Sequence, residues 1–150
     1  MLFESDRLLV RRLTEEDTEV LNAVLSDPAV MRFIEPPFSM EQTAAFIREA
    51  GLREPPLVYA VIWKQTGELI GHLIWHSWDE TAMELGWILR RDCWGRGIAT
   101  ELSAAILAQT DRDVVIECSP EQITTRHIAE LLGFELRSST EDRLIYRRKV

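Results

Sequence analysis

Two glycines one residue apart, Gly95 and Gly97, precede an amphipathic segment that is predicted to be a helix. Glycine lets the backbone approach a ligand closely, and the free N–H groups and dipole of a first helical turn favour an anion. The segment from Trp94 to Thr100 therefore predicts a phosphate-binding loop. It is not a P-loop, because no Gly-Lys-Ser/Thr follows, and Thr100 replaces the third glycine of a dinucleotide fingerprint. A tight turn that merely contains two glycines is the alternative.

Other reactive side chains give weaker signals. His72 and His76 lie on one face of a predicted strand, but a metal site would need a third ligand, and His127 falls on a distant helix. We therefore expect ordinary strand histidines and no metal. The two cysteines, Cys93 and Cys118, form no disulfide framework and are predicted to be reduced thiols.

The elements around the loop predict one mixed α/β domain over residues 1–150. Three strands joined by short turns form an antiparallel meander before the loop, and helices alternate with strands after it. The element order is βααβββαβαββ. Strands are predicted over 7–13, 58–63, 69–78, 83–89, 114–116, 134–138 and 144–148. Helices are predicted from the N-cap Thr14 to before Pro28, from the N-cap Ser39 to Gly51, from Gly97 to Gln109, and ahead of Gly133.

Composition restricts the class of protein. The chain has 150 residues, of which 46% are hydrophobic, enough for one core. Its net charge of −8 argues against nucleic-acid binding, which needs a basic surface. No apolar run is long enough for a membrane span and no signal peptide is recognisable, so a cytoplasmic protein is expected.

The residues from Glu84 to Leu89, followed by those from Trp94 to Glu101, resemble the acetyl-coenzyme A motif of the GNAT acetyltransferase superfamily. They are most similar to the branch that contains the RimJ and RimL ribosomal-protein N-terminal acetyltransferases. In that branch the pattern is acidic-x-Gly-aromatic, then Trp-Gly-x-Gly-x-Ala-Thr-Glu. Further matches cover residues 7–11, 16–17, 27–33, 68–71 and 130–134, so the resemblance extends along nearly the whole chain.

The resemblance implies an α+β GNAT fold, with a mostly antiparallel mixed sheet of about seven strands and about four helices. A splayed gap would separate the fourth and fifth strands. The implied cosubstrate is acetyl-coenzyme A, with backbone amides holding its pyrophosphate, Arg96 adding positive charge, and the exposed strand near Ile88 and Leu89 pairing with pantetheine. The expected contacts are Ile88, Leu89, Gly95, Arg96, Gly97, Ile98, Ala99, Thr100, Gln122 and Arg126.

The catalytic groups are less clearly marked. Glu84 is the first candidate for a general base, with a water-exposed strand glutamate as the alternative. The family's Asn and Ser positions hold Gln122 and Thr125, whose hydroxyl could protonate the leaving thiolate. The family's frequent tyrosine acid is replaced by Ala129.

Two activities remain open. We expect an N-acetyltransferase that acts on a protein N-terminus or a small amine, with a homodimer as a candidate assembly. The alternative is a catalytically degenerate acyl-coenzyme A sensor or interaction domain.

Overall fold

A mixed sheet forms the centre of the molecule, and the computed structural model describes residues 2–150 of the chain. Within these residues eight strands lie in the order β1-β2-β3-β4-β5-β6-β8-β7. All neighbouring strands are antiparallel except β5 and β6, which are parallel. The strands are β1 Phe3–Glu4, β2 Leu8–Arg11, β3 Val58–Trp63, β4 Glu68–Ser77, β5 Ala82–Leu89, β6 Asp113–Cys118, β7 Glu135–Ser139 and β8 Leu144–Arg148.

Five α-helices of the described residues cover the two faces of this sheet. They are α1 Thr18–Leu25, α2 Pro28–Met31, α3 Met40–Phe46, α4 Ile98–Leu107 and α5 Ile123–Leu131. A 3-10 turn, Glu15–Asp17, precedes α1, and a π-helical turn, Ile47–Gly51, continues α3. The predicted capping box opens α3, since Ser39 and Gln42 exchange side-chain to backbone hydrogen bonds of 2.8 and 3.1 Å.

Each face of the sheet has its own hydrophobic core, as strand alternation requires. Leu21 and its neighbours in α1–α3 pack on one face, and Leu102 of α4 packs on the other. In β5, Leu85 belongs to the α4 core and Ile88 to the α1–α3 core. Glu84, an even number of residues from Ile88, therefore faces the side of α1–α3.

The predicted α+β fold is confirmed, and two short elements were missed. Strand β1, Phe3–Glu4, has two residues and so shows no alternation that a sequence pattern could reveal. Pro28 was interpreted only as the end of a helix. It is also the first residue of α2, whose N-cap Asp27 accepts a 2.9 Å hydrogen bond from the Ala29 N–H.

Strands β5 and β6 pair only at their first residues. Register pairs join Ala82 to Asp113 and Glu84 to Val115, with one pair between them, and pairing stops there. Strand β6 remains paired with β8 as far as Cys118. The second half of β5 therefore has an open edge, which is the predicted gap between the fourth and fifth long strands.

Candidate functional site

The loop from Trp94 to Thr100, hereafter the cradle loop, requires both of its glycines. Gly95 and Gly97 have φ values of +71° and +74°, which disfavour any residue with a Cβ. Helix α4 begins directly after Gly97. The amides of residues 95–97 donate to no protein acceptor within residues 2–150, and the first amides of a helix lack intrahelical partners. The loop thus presents a set of free N–H donors.

A cavity of about 570 Å³, hereafter the cradle cavity, lies against this loop. Helix α2 closes its opposite side through Ala29 and Val30. The predicted coenzyme contacts that line it are Ile88, Leu89, Gly95, Gly97, Ile98, Ala99, Thr100 and Gln122, and the predicted catalytic residue Thr125 lines it as well.

The two arginines predicted to hold coenzyme A do not line this cavity. The guanidinium of Arg96 lies over the Trp63 ring, 5.1 Å from its centroid. Arg126 donates to the Pro120 carbonyl at 2.9 Å and lies 3.4 Å from the Tyr146 hydroxyl. Both guanidiniums are therefore held by other parts of the protein.

Arg32, which the sequence analysis did not single out, is the only positively charged side chain among the described residues that line the cradle cavity. Its guanidinium lies 4.8 Å from the Phe33 ring centroid and makes no hydrogen bond or ion pair within residues 2–150. A guanidinium whose N–H groups have no protein acceptor is available to donate to an anionic ligand.

Glu101 fixes the cradle loop through a set of contacts that we call the Glu101 clamp. Its carboxylate accepts hydrogen bonds from Ser5 Oγ (2.6 Å), Arg7 Nε (2.6 Å) and the Arg7 N–H (2.9 Å). The same Arg7 donates to the Arg96 carbonyl in the loop at 3.1 Å. Burial opposes ionisation of Glu101, but these hydrogen bonds outweigh it and hold its pKa below the ordinary value. Glu101, in the first turn of α4, therefore joins this helix to the chain before β2.

A second cavity of about 430 Å³, the gap cavity, lies where β5 and β6 diverge. Glu84, Glu117 and Ile74 contribute to its walls. Arg143 pairs with both oxygens of Glu117, at 2.7 and 2.8 Å, so neither charge is free. The two cavities share a rim that consists of Phe33, Ile34, Trp87, Ile88, Gln122 and Thr125.

Glu84 is a partly buried carboxyl in the gap cavity. Burial raises its pKa above the ordinary value, and Glu117 acts in the same direction, while His76 and Arg143 oppose them. Two residues along the strand, a Cβ on Gly86 would lie 3.0 Å from Ile74 Cδ1, so the glycine makes room for that side chain. Burial in the gap cavity therefore increases the proton affinity of Glu84.

Gln122 and Thr125 stand where the cavities meet. The side-chain oxygen of Gln122 accepts a 2.8 Å hydrogen bond from the Ser119 N–H, which leaves its NH₂ group free to donate. The Thr125 hydroxyl has no partner within residues 2–150 and lines both cavities. Ala129, one turn further along α5, is completely buried.

The open edge of β5 offers backbone groups to the gap. The Arg90 N–H donates to the Ile70 carbonyl at 2.7 Å. Because hydrogen-bonded positions alternate along an antiparallel pair, the even-numbered residues of β5 bond to β4. The N–H groups of Trp87 and Leu89 therefore point away from β4. Trp94 Nε1 already donates to the Leu89 carbonyl at 3.0 Å. The N–H and C=O groups of Trp87 and the N–H group of Leu89 are therefore the backbone groups to which a ligand could bind.

The remaining candidate groups are buried and neutral. Burial raises the thiol pKa of Cys93 and of Cys118, so neither thiolate is favoured. His72 is completely buried, and burial lowers its pKa to about 4. Among residues 2–150, no group of three or more His, Cys, Asp or Glu side chains could hold a metal ion. No helix in the same range has the length and apolar character to cross a membrane.

Comparison with known proteins identifies the family. Residues 7–135 match the family model described as Acetyltransferase (GNAT) domain. The chain is 26% identical over 140 residues to YnaD, an uncharacterized N-acetyltransferase of Bacillus subtilis strain 168; the match covers 89% of this chain and 82% of YnaD.

Solved structures show the same fold at low identity. A GNAT-family acetyltransferase from Bacillus anthracis has a TM-score of 0.85 and 22% identity, over 97% of this chain and 96% of that one. RimL, a ribosomal-protein α-N-acetyltransferase solved in complex with coenzyme A, has a TM-score of 0.84 and 20% identity, over 99% and 97% of the two chains. The chain therefore belongs to the GNAT family of N-acetyltransferases.

Proposed function

We propose that this N-acetyltransferase transfers the acetyl group of acetyl-coenzyme A directly to a primary amine while both are bound. The observation that carries the proposal is the rim shared by the cradle and gap cavities, which includes Gln122 and Thr125. Direct transfer needs the thioester and the amine side by side. The burial of Cys93 and Cys118 as neutral thiols argues against a covalent acetyl-enzyme.

The cradle cavity suits the coenzyme. Free amides of the cradle loop and the unpaired Arg32 would bind its phosphates. Its pantetheine arm would follow the cavity and pair with the open edge of β5 at Trp87 and Leu89, as an added strand does. An N–H of that edge would polarise the thioester carbonyl.

The gap cavity suits an acceptor with a positive charge. Glu84 would receive the ammonium group, while Phe33 and Ile34 offer apolar contacts on the rim. A free α-amine has a pKa near 8 and a lysine near 10.4, so the α-amine needs less help to lose its proton. A protein N-terminus, as in the RimJ/RimL-like branch, and a small amine are both acceptors that we propose to test.

The groups present can complete the reaction. An ammonium acceptor loses one proton toward Glu84, and the nitrogen lone pair forms the N–C bond. The C–S bond then breaks, its electron pair leaves on sulfur, and the nitrogen releases its second proton. The Thr125 hydroxyl, which lines both cavities, would pass its proton to the thiolate and take up the second proton from the nitrogen, so that it ends the step neutral.

The direct test is turnover. The protein is incubated with acetyl-coenzyme A and a panel of peptides with free N-termini and of small amines, and free thiol and acetylated product are measured. Thiol release matched by product is the expected result. Binding of acetyl-coenzyme A, seen as a thermal shift, without transfer to any acceptor would instead favour the degenerate sensor, for which Ala129 in the tyrosine position is the motivation.

A matched pair of glycine variants tests the cradle assignment. Gly97 and Gly67 both have positive φ values, +74° and +78°, and a Cβ at Gly67 meets nothing within 4 Å while one at Gly97 meets only Arg7 at 3.7 Å. Gly97→Asp puts a carboxylate into the anion site and should abolish coenzyme A binding in calorimetry. Gly67→Asp carries the same backbone strain outside the cavity lining and should bind normally. Equal binding by both variants would refute the cradle assignment.

A further inference from the structure

His76 lies directly across from Glu84 in the antiparallel pairing of β4 and β5. Its Nε2 is 3.7 Å from the Glu84 carboxylate, and the two side chains are 28% and 21% exposed. Cross-strand partners in such a register share one face of the sheet. Of these two residues Glu84 lines the gap cavity and His76 does not, so Glu84 is the one nearer to a ligand bound there.

The hydrogen bond at the other ring nitrogen fixes how His76 faces Glu84. Nδ1 lies 3.0 Å from the backbone carbonyl oxygen of Ser77. A carbonyl can only accept, so Nδ1 carries the hydrogen in the neutral ring. Nε2 then has its lone pair free on the side of Glu84.

We propose that His76 is the proton-relay partner of Glu84, a positioning residue that takes up the amine proton through that carboxyl and releases it to solvent. This inference rests on the proposed function. The amine proton moves to a Glu84 oxygen and from there to Nε2, where it leaves an imidazolium paired with a carboxylate. The imidazolium then returns a proton to water, so the pair is ready for the next turnover. A modest rotation brings Nε2 and the carboxylate to hydrogen-bond distance, as catalytic contacts often tighten with substrate bound.

Among the titratable groups around Glu84, His76 is the one that can accept the proton from it. Glu84 is faced by His76 from β4, by Glu117 from β6, and by Asp142 and Arg143 from the segment before β8. Glu117 is held at both oxygens by Arg143 and so is not free to accept the proton. Asp142 is an exposed carboxyl with no contact to Glu84 among the hydrogen bonds and ion pairs of residues 2–150.

Nuclear magnetic resonance tests the pair without any acceptor. Ring nitrogen shifts of the full-length protein should show the Nδ1–H tautomer at neutral His76, and the Nε2–H tautomer would overturn the relay. The Glu84 carboxyl carbon should titrate at higher pH in His76→Leu than in the wild type, because a positive partner has been removed. An unchanged Glu84 titration would also overturn it.

Kinetics then separates a relay from a structural role, using the amine that gives turnover in the panel. His76→Ala should lower kcat about a hundredfold, the low end of the range for proton-transfer groups, with KM for acetyl-coenzyme A unchanged. Added imidazole should restore turnover in His76→Ala. The control His127→Ala, on the exposed side of α5, should keep wild-type turnover and gain nothing from imidazole.

The outcomes remain distinguishable. If no amine is acetylated, the proposed function fails, while the tautomer and the Glu84 titration still decide whether the pair exists. If His76→Ala loses activity but imidazole has no effect and the pH profile is that of the wild type, His76 has only a structural role and the relay is wrong.

Discussion

The buried imidazole of His72 should make the stability of the fold depend on pH in a window where carboxylates with lowered pKa values, such as those of Asp17 and Glu101, do not contribute. His72 lies on β4 opposite Ile88, and its ring centroid is 5.1 Å from that of Phe46. Its Nδ1 has no hydrogen-bond partner within residues 2–150. Burial lowers its pKa to about 4, against 6.5 for the free side chain.

The direction and size of this pH effect on the free energy of unfolding follow from the protons bound by His72 in the folded and unfolded states. Below pH 6.5 the unfolded chain protonates His72 and the folded chain does not until about pH 4, so acidification favours unfolding. With these two pKa values, the lost stability between pH 7 and pH 5 is about 2 kcal/mol. Carboxylates with lowered pKa, such as Asp17 and Glu101, lose their contribution only below their unfolded values near pH 4, outside this window.

Urea unfolding at several pH values from 7 to 5 measures the effect, with His72→Leu as the variant. The free energy of unfolding of the wild type, minus that of His72→Leu, should fall by about 2 kcal/mol across this range. His127→Leu, which removes an exposed imidazole, serves as the control and should follow the wild type. A wild-type minus His72→Leu difference that stays constant within about 0.5 kcal/mol would show that His72 is protonated or solvated in the folded state, which would refute the reasoning. The same measurement marks the pH below which any fall in turnover must be corrected for unfolding.

Three further variants test the donor side. Arg32→Gln should weaken coenzyme A binding about fivefold in calorimetry, because a partly exposed charge contact worth about 1 kcal/mol is lost. Arg96→Gln should bind coenzyme A within about twofold of the wild-type affinity. The reverse order of the two effects would contradict the placement of the two arginines. Glu101→Gln should raise KM for acetyl-coenzyme A roughly threefold to tenfold with kcat unchanged, because weakening the Glu101 clamp loosens the cradle loop. An unchanged KM would show that the clamp has no part in binding. Gly71→Ala should lower the free energy of unfolding in urea by about 1–3 kcal/mol and reduce kcat, because the new Cβ would overlap the Ile88 carbonyl oxygen. A variant with wild-type stability and turnover would show that β5 tolerates displacement.

The elements of the fold were predictable because their signals are local. Alternation revealed the long strands, and the Ser39 capping box and the glycines at 51 and 133 bounded helices. The cradle loop was predictable for the same reason, since two positive-φ glycines stand next to one helix start. Elements of two or four residues, such as β1 and α2, are too short for any periodic pattern.

The chemistry of individual side chains was less predictable where it depends on distant contacts. Arg96 is adjacent to both glycines, yet its guanidinium lies over Trp63, a residue of β3. Arg32, directly after α2, lines the cradle cavity although it is more than sixty positions from the loop in sequence. Glu101 has the pattern of a helix-surface charge, and its partners Ser5 and Arg7 are 96 and 94 residues away. Sequence spacing therefore locates the backbone of the candidate site better than it locates the side chains around that site.

Strand β5 has one open edge, and its pairing with β4 fixes its position. A strand with one free edge would be a poor scaffold for groups that must hold a thioester within a fraction of an ångström. Seven consecutive register pairs join β5 to β4, from Met83 opposite Ser77 to Leu89 opposite Gly71, so the whole strand is fixed from one side. Gly71 lets the Ile88 backbone approach closely, and His76 meets Glu84 in the same register. Strand β4 therefore positions both the proposed polarising edge and the proposed base. If these roles are right, variants in β4 should change catalysis although few of its side chains line either cavity.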